Sequence, residues 1–282
     1  MSSLQKIKTR IETVHSIRKI THAMELVSTS KMRKARDHFN DVNSYFEQVR
    51  NIINIYLANT PESEVDNFLL KKNIEKRLII VVTSDLGLAG SYNSNVIKLA
   101  RNIINDNDKI IVIGDKGQIL VQKYRTNILH HYSWENNAST DLSSMVVEDA
   151  LELIRQNEIG SISIIYNEFI NNLIQQEHCK EIWPLSLKYE HLGENKIKKI
   201  IEFEPNQHNV AVSLAQAYLN ASMAQAFASG VLSEFAARRT AMESANNNAD
   251  ELIKNLNQDY NRKRQGNITQ ELNEIVGGAN AV

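Results

Sequence analysis

Two short glycine-containing segments stand where a phosphate-binding loop could lie. Gly87-Leu-Ala-Gly90 follows the short β-branched run 77–83, and Gly114-Asp-Lys-Gly117 closes a second run that begins at Lys109. A P-loop requires Gly-x-x-x-x-Gly-Lys-Ser/Thr, and a dinucleotide site requires Gly-x-Gly-x-x-Gly. The sequence contains neither motif. We therefore expect these glycines to allow tight turns between strands and helices, with a nucleotide site as the less favoured alternative.

The other residue types that could do chemistry form no recognisable group. The eight histidines include no His-Glu-x-x-His metal motif. The single cysteine, Cys179, excludes an intramolecular disulfide and any multi-cysteine metal site. No nucleophile, base and acid can be assigned to a triad. We therefore predict no catalytic residue, no metal and no cofactor.

Charge is distributed unevenly along the chain. The net charge is −1, which argues against a dedicated nucleic-acid-binding protein. Residues 1–36, however, contain nine Lys and Arg against two Glu, a local charge of +7, and residues 262–264 form a second basic cluster. Such faces are usually solvated, but on a thin pair of helices they can also bind acidic partners.

The sequence shows no feature of a membrane-spanning or secreted chain. The longest unbroken apolar run, Leu78–Val82, is far shorter than the roughly 18 residues of a membrane span. No apolar signal segment follows Met1. We therefore expect a cytosolic chain that reaches a membrane only through its partners.

The elements that position these residues follow from the distribution of helix breakers. Residues 1–60 contain neither proline nor glycine, and all three prolines and six of the ten glycines lie within 61–205. This pattern predicts an N-terminal coiled-coil helix in residues 1–60, a central α/β domain in 61–206 and a C-terminal coiled-coil helix in 207–282. The two helices themselves are expected over 3–58 and 207–279.

Apolar periodicity predicts that the two long helices form an antiparallel coiled coil. Stepping by four and three from Val210 to Leu256 meets fourteen positions, of which only Arg238 is not apolar. Because this seam is narrow and rich in alanine, we favour a coiled coil over a helix lying on a globular core. The longer C-terminal helix should project beyond its partner.

The N-terminal helix carries apolar seams of the same spacing. Three are expected, the second displaced by a three-residue stammer. Their members are Leu4, Ile7, Ile11 and Val14, then Ile17, Ile20, Met24 and Val27, then Ala35, Phe39, Val42, Phe46, Val49, Ile53 and Tyr56.

The middle of the chain alternates between strand and helix patterns. Strands are predicted at 77–83, 109–114 and 161–166, helices at 94–104, 115–124 and 141–157, and extended pieces near 172–187 and 197–203. This order is typical of a small, mostly parallel sheet. The predicted fold class is therefore α/β, with a long antiparallel coiled coil of the terminal helices and a central Rossmann-like α/β domain.

Three long motifs, in order along the chain, carry a resemblance to a known family. They are SIRKITHAMELVSTSKMRK at 16–34, SDLGLAGSYN at 84–93 and YNRKRQGNITQELNEIVGGA at 260–279. The chain resembles the γ subunit of F-type ATP synthases. This implies the central rotor stalk, which carries torque between the membrane c-ring and the catalytic α3β3 hexamer. The implied partners are the α and β subunits, the ε subunit and the c-ring, while catalysis takes place in β.

The resemblance also implies roles for individual residues. Positions that match contacts with a β subunit are Met24, Arg238, Arg264, Gln265 and Thr269, and positions that match the foot on the c-ring are Glu202 and Glu204. Met24 can equally be coiled-coil core, whereas a charge at a seam position such as Arg238 is costly without a partner. The implied location is the cytoplasmic face of a bacterial cell membrane, as a peripheral protein.

Other functions stay open at the level of sequence. One is the rotor of a duplicated F1-like ATPase that serves another machine. A second is a homodimeric coiled-coil scaffold, which would not need the motif at 260–279. A third is a small α/β enzyme with helical extensions, which would need a phosphate or metal site.

Overall fold

The structure is a computed structural model that describes residues 2–60, 74–134, 139–184, 203–204 and 206–279. The chain divides into two compact units. Unit 1 consists of Met1–Ser30 and Arg238–Val282, and unit 2 of Lys31–Ala237. The extended piece predicted near 197–203 lies outside the described residues except for residue 203. Glu202 also lies outside them.

Two long helices begin and end the described chain, and both confirm the sequence-based expectation. Helix α1 is Ser2–Asn59 and the final helix is Gln207–Ala279. The elements between them are, in chain order, β1 Arg77–Val82, α2 Tyr92–Ile103, β2 Lys109–Ile113, a 3-10 turn Asp115–Gly117, α3 Gln118–Lys123, β3 Ile128–Tyr132, α4 Ser139–Arg155, β4 Ser161–Phe169 and β5 Gln175–Trp183. The final helix is α5.

In unit 1 the two long helices run antiparallel. Val14 of α1 packs against Ala249, Ile253 and Leu256 of α5. Arg18, one turn further along α1, donates to Asp250, one turn earlier on α5, at 3.0 Å. Along the interface, residue numbers therefore increase on α1 while they decrease on α5, as the predicted antiparallel coiled coil requires.

The interhelical face of α1 in unit 1 differs from the predicted one. Beyond Val14, the half-buried Arg18, Thr21 and Glu25 bond to α5, and Ser28, the next position in the same spacing, is buried. They continue the four-three spacing of Ile7, Ile11 and Val14 without a break. The expected stammer is therefore wrong, because the seam continues through polar residues rather than shifting to the next apolar ones.

Unit 2 is built on a five-stranded sheet in the order β3-β2-β1-β4-β5. The first four strands are parallel, and β5 pairs antiparallel with β4. Alternate residues of β1 face opposite sides. Ile79 and Val81 pack under α2 and α3, whereas Leu78, Ile80 and Val82 join a core with α1, α4 and α5. The mostly parallel sheet is confirmed.

Two details of the α/β region differ from the prediction. Strand β3 was not predicted, because His130 and His131 interrupt its apolar pattern; as an edge strand it is only half-buried and tolerates them. The helix expected at 115–124 is instead a 3-10 turn followed by the short helix α3.

Within unit 2, α5 does lie on a globular core, contrary to the preference for a pure coiled coil. Its buried small residues join the same core as strands β1 and β4 and helices α1 and α4. Those from α5 are Ala211, Ala215, Ala221 and Ala226, with the larger Leu219, Met223 and Phe227. Alanine at many positions lets α5 approach elements on both of its sides, so the seam is not the only buried face.

Candidate functional site

The carboxyl edge of the sheet, where an α/β domain would bind a nucleotide, is closed by the chain's own hydrogen bonds. The Asp85 carboxylate accepts the backbone N–H of Asp115 at 3.0 Å and the Ser133 hydroxyl at 2.9 Å. The Thr83 hydroxyl donates to the Ile113 carbonyl at 2.8 Å. The Lys116 N–H donates to the Ser84 carbonyl at 3.0 Å. These groups are used in holding neighbouring turns together.

The glycines at this edge serve the turns, as predicted. Gly114 has φ +89°, and a Cβ there would lie 2.2 Å from the Thr83 carbonyl oxygen. A Cβ at Gly117 would lie 2.3 Å from Val112. Gly90 also has a positive φ, of 58°. These positions require glycine for backbone geometry or close approach. Gly87 is different, since a Cβ there would meet only ordinary contact with Lys116.

Within the described part of the chain, no three His, Cys, Asp or Glu side chains are grouped closely enough to hold a metal ion. None of the described helices is both long and apolar enough to cross a membrane.

A polar layer joins the two helices of unit 1. The Asn246 amide donates to the Glu25 carboxylate at 2.6 Å and accepts the Thr21 hydroxyl. Asn246 is 8% exposed. Beside this layer, the hydrogen bond to Asp250 raises the pKa of the Arg18 guanidinium above its ordinary value. A buried asparagine in a coiled coil fixes the register of its helices.

The second predicted seam of α1 faces outward and forms an exposed apolar stripe. We use the name apolar stripe for Ile17, Ile20, Met24 and Val27. Ile20 is 61% exposed and Val27 55%, while Met24 is half-buried at the edge of the interhelical face. This arrangement leaves an apolar surface on a helix that is already paired on its other side.

The end of α5 is also exposed. Leu256 is the last residue of α5 that is buried among the residues whose side chains are described, up to Val276. The predicted contact residues Arg264, Gln265 and Thr269 are all exposed, and the Thr269 hydroxyl donates only to the Gln265 carbonyl of its own helix, at 3.0 Å. The same segment carries exposed apolar residues: Ile268, Leu272, Ile275 and Val276.

The remaining predicted site residues occupy different environments. Arg238 is only 4% exposed and interacts within the chain, so a β subunit could reach little of its side chain. Glu204 is exposed. The contact roles assigned to these residues stay predictions.

Three polar features of unit 2 were missed at the level of sequence. Lys180 donates to Gln225 at 3.0 Å and lies 4.7 Å from the centre of the Phe46 ring, and burial lowers its pKa. Burial and a hydrogen bond to Asp149 raise the pKa of Tyr132 to about 12. Tyr92 is buried and reaches α5. Each depends on contacts between distant segments, which local patterns do not reveal.

Comparison with known proteins gives one consistent result. The model of the family described as ATP synthase matches residues 3–282. The ATP synthase gamma chain of Mycoplasmopsis agalactiae is 40% identical over 287 residues and covers all of both chains. That of Clostridium novyi is 34% identical over 284 residues, covering 99% of this chain and 98% of the relative.

Solved structures show the same fold. A chain in the mitochondrial ATP synthase of Euglena gracilis, in the structure of its OSCP, F1 and c-ring, superposes with a TM-score of 0.69 at 18% identity. The match covers 99% of this chain and 94% of that one. A chain in the rotor of the same enzyme gives a TM-score of 0.65 at 17% identity, covering 95% and 99%. From the full-length match to its relatives, the chain belongs to the family of ATP synthase gamma chains.

Proposed function

We propose that this chain is the central rotor-stalk subunit of a proton-translocating F-type ATP synthase. It transmits torque between a membrane-embedded c-ring and a catalytic α3β3 hexamer, for ATP synthesis or hydrolysis. Its relatives are ATP synthase gamma chains, and its fold resembles chains in F1, c-ring and rotor assemblies, which supports the α, β, ε and c-ring subunits as partners.

In this proposal the chain is not itself catalytic, and the chemistry of ATP takes place in β. The engaged polar groups around Asp85 at the sheet's carboxyl edge support that division. The complex places the chain as a peripheral protein on the cytoplasmic face of a bacterial cell membrane, held there by the c-ring. The bacterial relatives support this location.

The observation that carries the proposal is the exposed apolar stripe of α1. Exposed apolar surface costs roughly 25 cal/mol per Å² relative to burial, and three of the four members of the stripe are more than half exposed. A rotor inside a hexamer would cover this surface. Met24 within the stripe, and Arg264, Gln265 and Thr269 on the exposed end of α5, then contact β. Arg238 contributes at most the small part of its side chain that is exposed.

In this proposal, the foot of the rotor meets the c-ring. Glu204 lies shortly before α5 begins and is exposed, so its carboxylate is available to polar groups of a partner. Glu202, two residues earlier in the chain, is the second proposed foot residue.

A pair of matched variants tests the contact with the hexamer. Ile20→Asp places a carboxylate in the stripe, and His15→Asp places the same group on another exposed face of α1. We expect Ile20→Asp to weaken binding to purified α3β3 about tenfold, the effect of about 1.4 kcal/mol. His15→Asp should bind like the wild type. Equal binding by both variants would show that the apolar stripe is not part of the interface with α3β3.

A coiled-coil scaffold is the second candidate, favoured by the exposed apolar residues between Ile268 and Val276. If these residues join two copies of this chain, the purified chain sediments as a dimer, and Leu272→Asp converts it to a monomer. A rotor chain remains monomeric in the same experiment and binds α3β3 instead.

A further inference from the structure

The carboxyl edge between β1 and β4 is the place where the sheet changes direction. From β1 the chain continues to β2 and β3 on one side, and it returns to β4 on the other side of β1. In open α/β sheets, ligands bind in the crevice at such a switch point. In this chain, residues of α5 occupy that position.

Two hydrogen bonds connect α5 with this edge, and a third supports one of them from behind. The Tyr92 hydroxyl donates to the Gly230 carbonyl at 3.0 Å, and the Phe169 N–H donates to the Ser229 hydroxyl at 2.9 Å. Behind them, the Asn167 amide donates to the Tyr92 carbonyl at 2.9 Å. Tyr92, Asn167 and Ser229 are each at most 4% exposed. These three side chains are therefore largely shielded from water.

Gly230 lies where α5 approaches the end of β1. A Cβ on Gly230 would lie 3.4 Å from Val82, the last residue of β1, and 3.5 Å from the Tyr92 hydroxyl oxygen. These are ordinary contact distances, so a methyl group fills the remaining space and a larger side chain would collide.

Small side chains make up much of the surface that α5 buries in unit 2, beside the larger Leu219, Met223 and Phe227. Small side chains form shallow ridges, which resist rotation or sliding of a helix less than large ones do. The buried alanines of this part of α5 are Ala211, Ala215, Ala221, Ala226, Ala228 and Ala236. Hydrogen bonds are directional, so those at Ser229 and Gly230 hold α5 at one angle and one height.

We propose that Tyr92, Asn167, Ser229 and Gly230 form a clasp that locks α5 to the α/β domain and delivers torque between them without slip. This inference rests on the proposed rotor function. In other open α/β folds a ligand binds in this crevice. In this chain, the α/β domain binds its own helix α5 there. Tyr92, Asn167 and Ser229 are positioning residues, since they act through α5.

The test uses the whole ATP synthase with its hexamer fixed to a surface and a probe on the c-ring. The angular variance of the probe reports torsional stiffness. Tyr92→Phe keeps the ring and removes one of the two direct hydrogen bonds at this edge, so we expect the variance to rise about twofold. The Gly230 carbonyl keeps its bond within the helix, so no buried group loses its only partner. ATP hydrolysis without load should stay unchanged.

Two controls separate a clasp from simple stabilisation of the fold. Gly230→Ala fits the available space and keeps both hydrogen bonds, so its variance should match the wild type. Ser229→Ala removes the second bond and should raise the variance like Tyr92→Phe, whereas Ser229→Thr retains the hydroxyl and should restore stiffness. If Tyr92→Phe does not assemble, the comparison of Ser229→Ala with Ser229→Thr still tests the clasp.

The possible results are distinguishable. Wild-type variance in both Tyr92→Phe and Ser229→Ala, with the thermal midpoint lowered, would show that these bonds only stabilise the fold. An equal rise in Gly230→Ala would also overturn the clasp. If the wild-type chain does not assemble with the hexamer or rotate with the c-ring, the proposed function itself fails.

Discussion

Met24 lies where the interhelical face of α1 meets the apolar stripe, and its half-buried thioether can serve either surface. In the proposed rotor we expect Met24 to pass close to an acidic turn of a β subunit, where a neutral, flexible side chain makes no strong electrostatic attachment. Met24→Lys adds a charge that can pair with a carboxylate, in a bond worth roughly 1.5–3 kcal/mol. We expect the variant complex to assemble and hydrolyse ATP but to pump fewer protons per ATP.

Met24→Leu is the matched control, since it is similar in volume and uncharged. Proton pumping and ATP hydrolysis, measured side by side, should both remain near the wild-type level in this variant. Equal damage from leucine and lysine, or loss of assembly with lysine, would instead make Met24 ordinary core packing between the two helices.

Tyr132 gives a prediction for alkaline pH. Its pKa is raised from 10.0 to about 12, by burial first and then by the hydrogen bond to Asp149. Between these values the unfolded chain loses the phenolic proton while the folded chain keeps it. The free energy of unfolding therefore falls as pH rises through this window. In Tyr132→Phe this fall should be less steep, as measured by urea unfolding at several pH values; identical slopes would contradict the shift.

Single residues could be predicted from sequence where local chemistry decides their role. The turn glycines Gly114 and Gly117 are of this kind. Arg238 was singled out as a charge on an apolar seam, but its burial and its interactions within the chain depend on tertiary packing. Tyr92 and Lys180 carried no signal, because their partners Gly230 and Gln225 are more than forty residues away.

At the scale of elements, the polar layer of unit 1 makes a specific prediction. Asn246→Asp exchanges an amide that donates to Glu25 for a second carboxylate. A hydrogen bond to a charged group is worth about 1.5–3 kcal/mol, so we expect unfolding at pH 7 to become easier by about 2 kcal/mol. Adding Glu25→Gln removes the repulsion and should recover most of this loss. Denaturant unfolding of the wild type and the two variants measures both effects, and a double variant as unstable as Asn246→Asp would contradict the pairing.

The long helices show which structural features apolar periodicity can predict and which it cannot. Their existence and antiparallel pairing followed from the absence of helix breakers and from the heptad spacing. The face of α1 was misplaced between Ile17 and Val27, because apolar residues alone were counted. The true interface there uses Arg18, Thr21 and Glu25, whose long or hydroxylated side chains bond across the helices. The apolar residues are left for the outer surface.

At the scale of the whole molecule, α5 occupies the switch point of the α/β domain, where a ligand binds in other open α/β sheets. The strands β1, β2 and β4 were predictable from their continuous apolar runs, and so was their parallel arrangement. The filling of the crevice by Ser229 and Gly230 was not predictable, since it depends on contacts with Phe169 and Tyr92, which lie 60 and 138 residues earlier in the chain.

The final prediction follows from the same crevice. The chain lacks a phosphate-binding motif, the polar groups after β1 and β2 bond to one another, and Tyr92 and Gly230 fill the switch point. We therefore expect the isolated chain to show no heat of ATP binding by calorimetry at micromolar to millimolar nucleotide. Gly230→Ala, which closes the remaining space, should behave identically. Micromolar binding to the wild type that Gly230→Ala abolishes would place a nucleotide at this edge and overturn the assignment of a rotor subunit without nucleotide chemistry of its own.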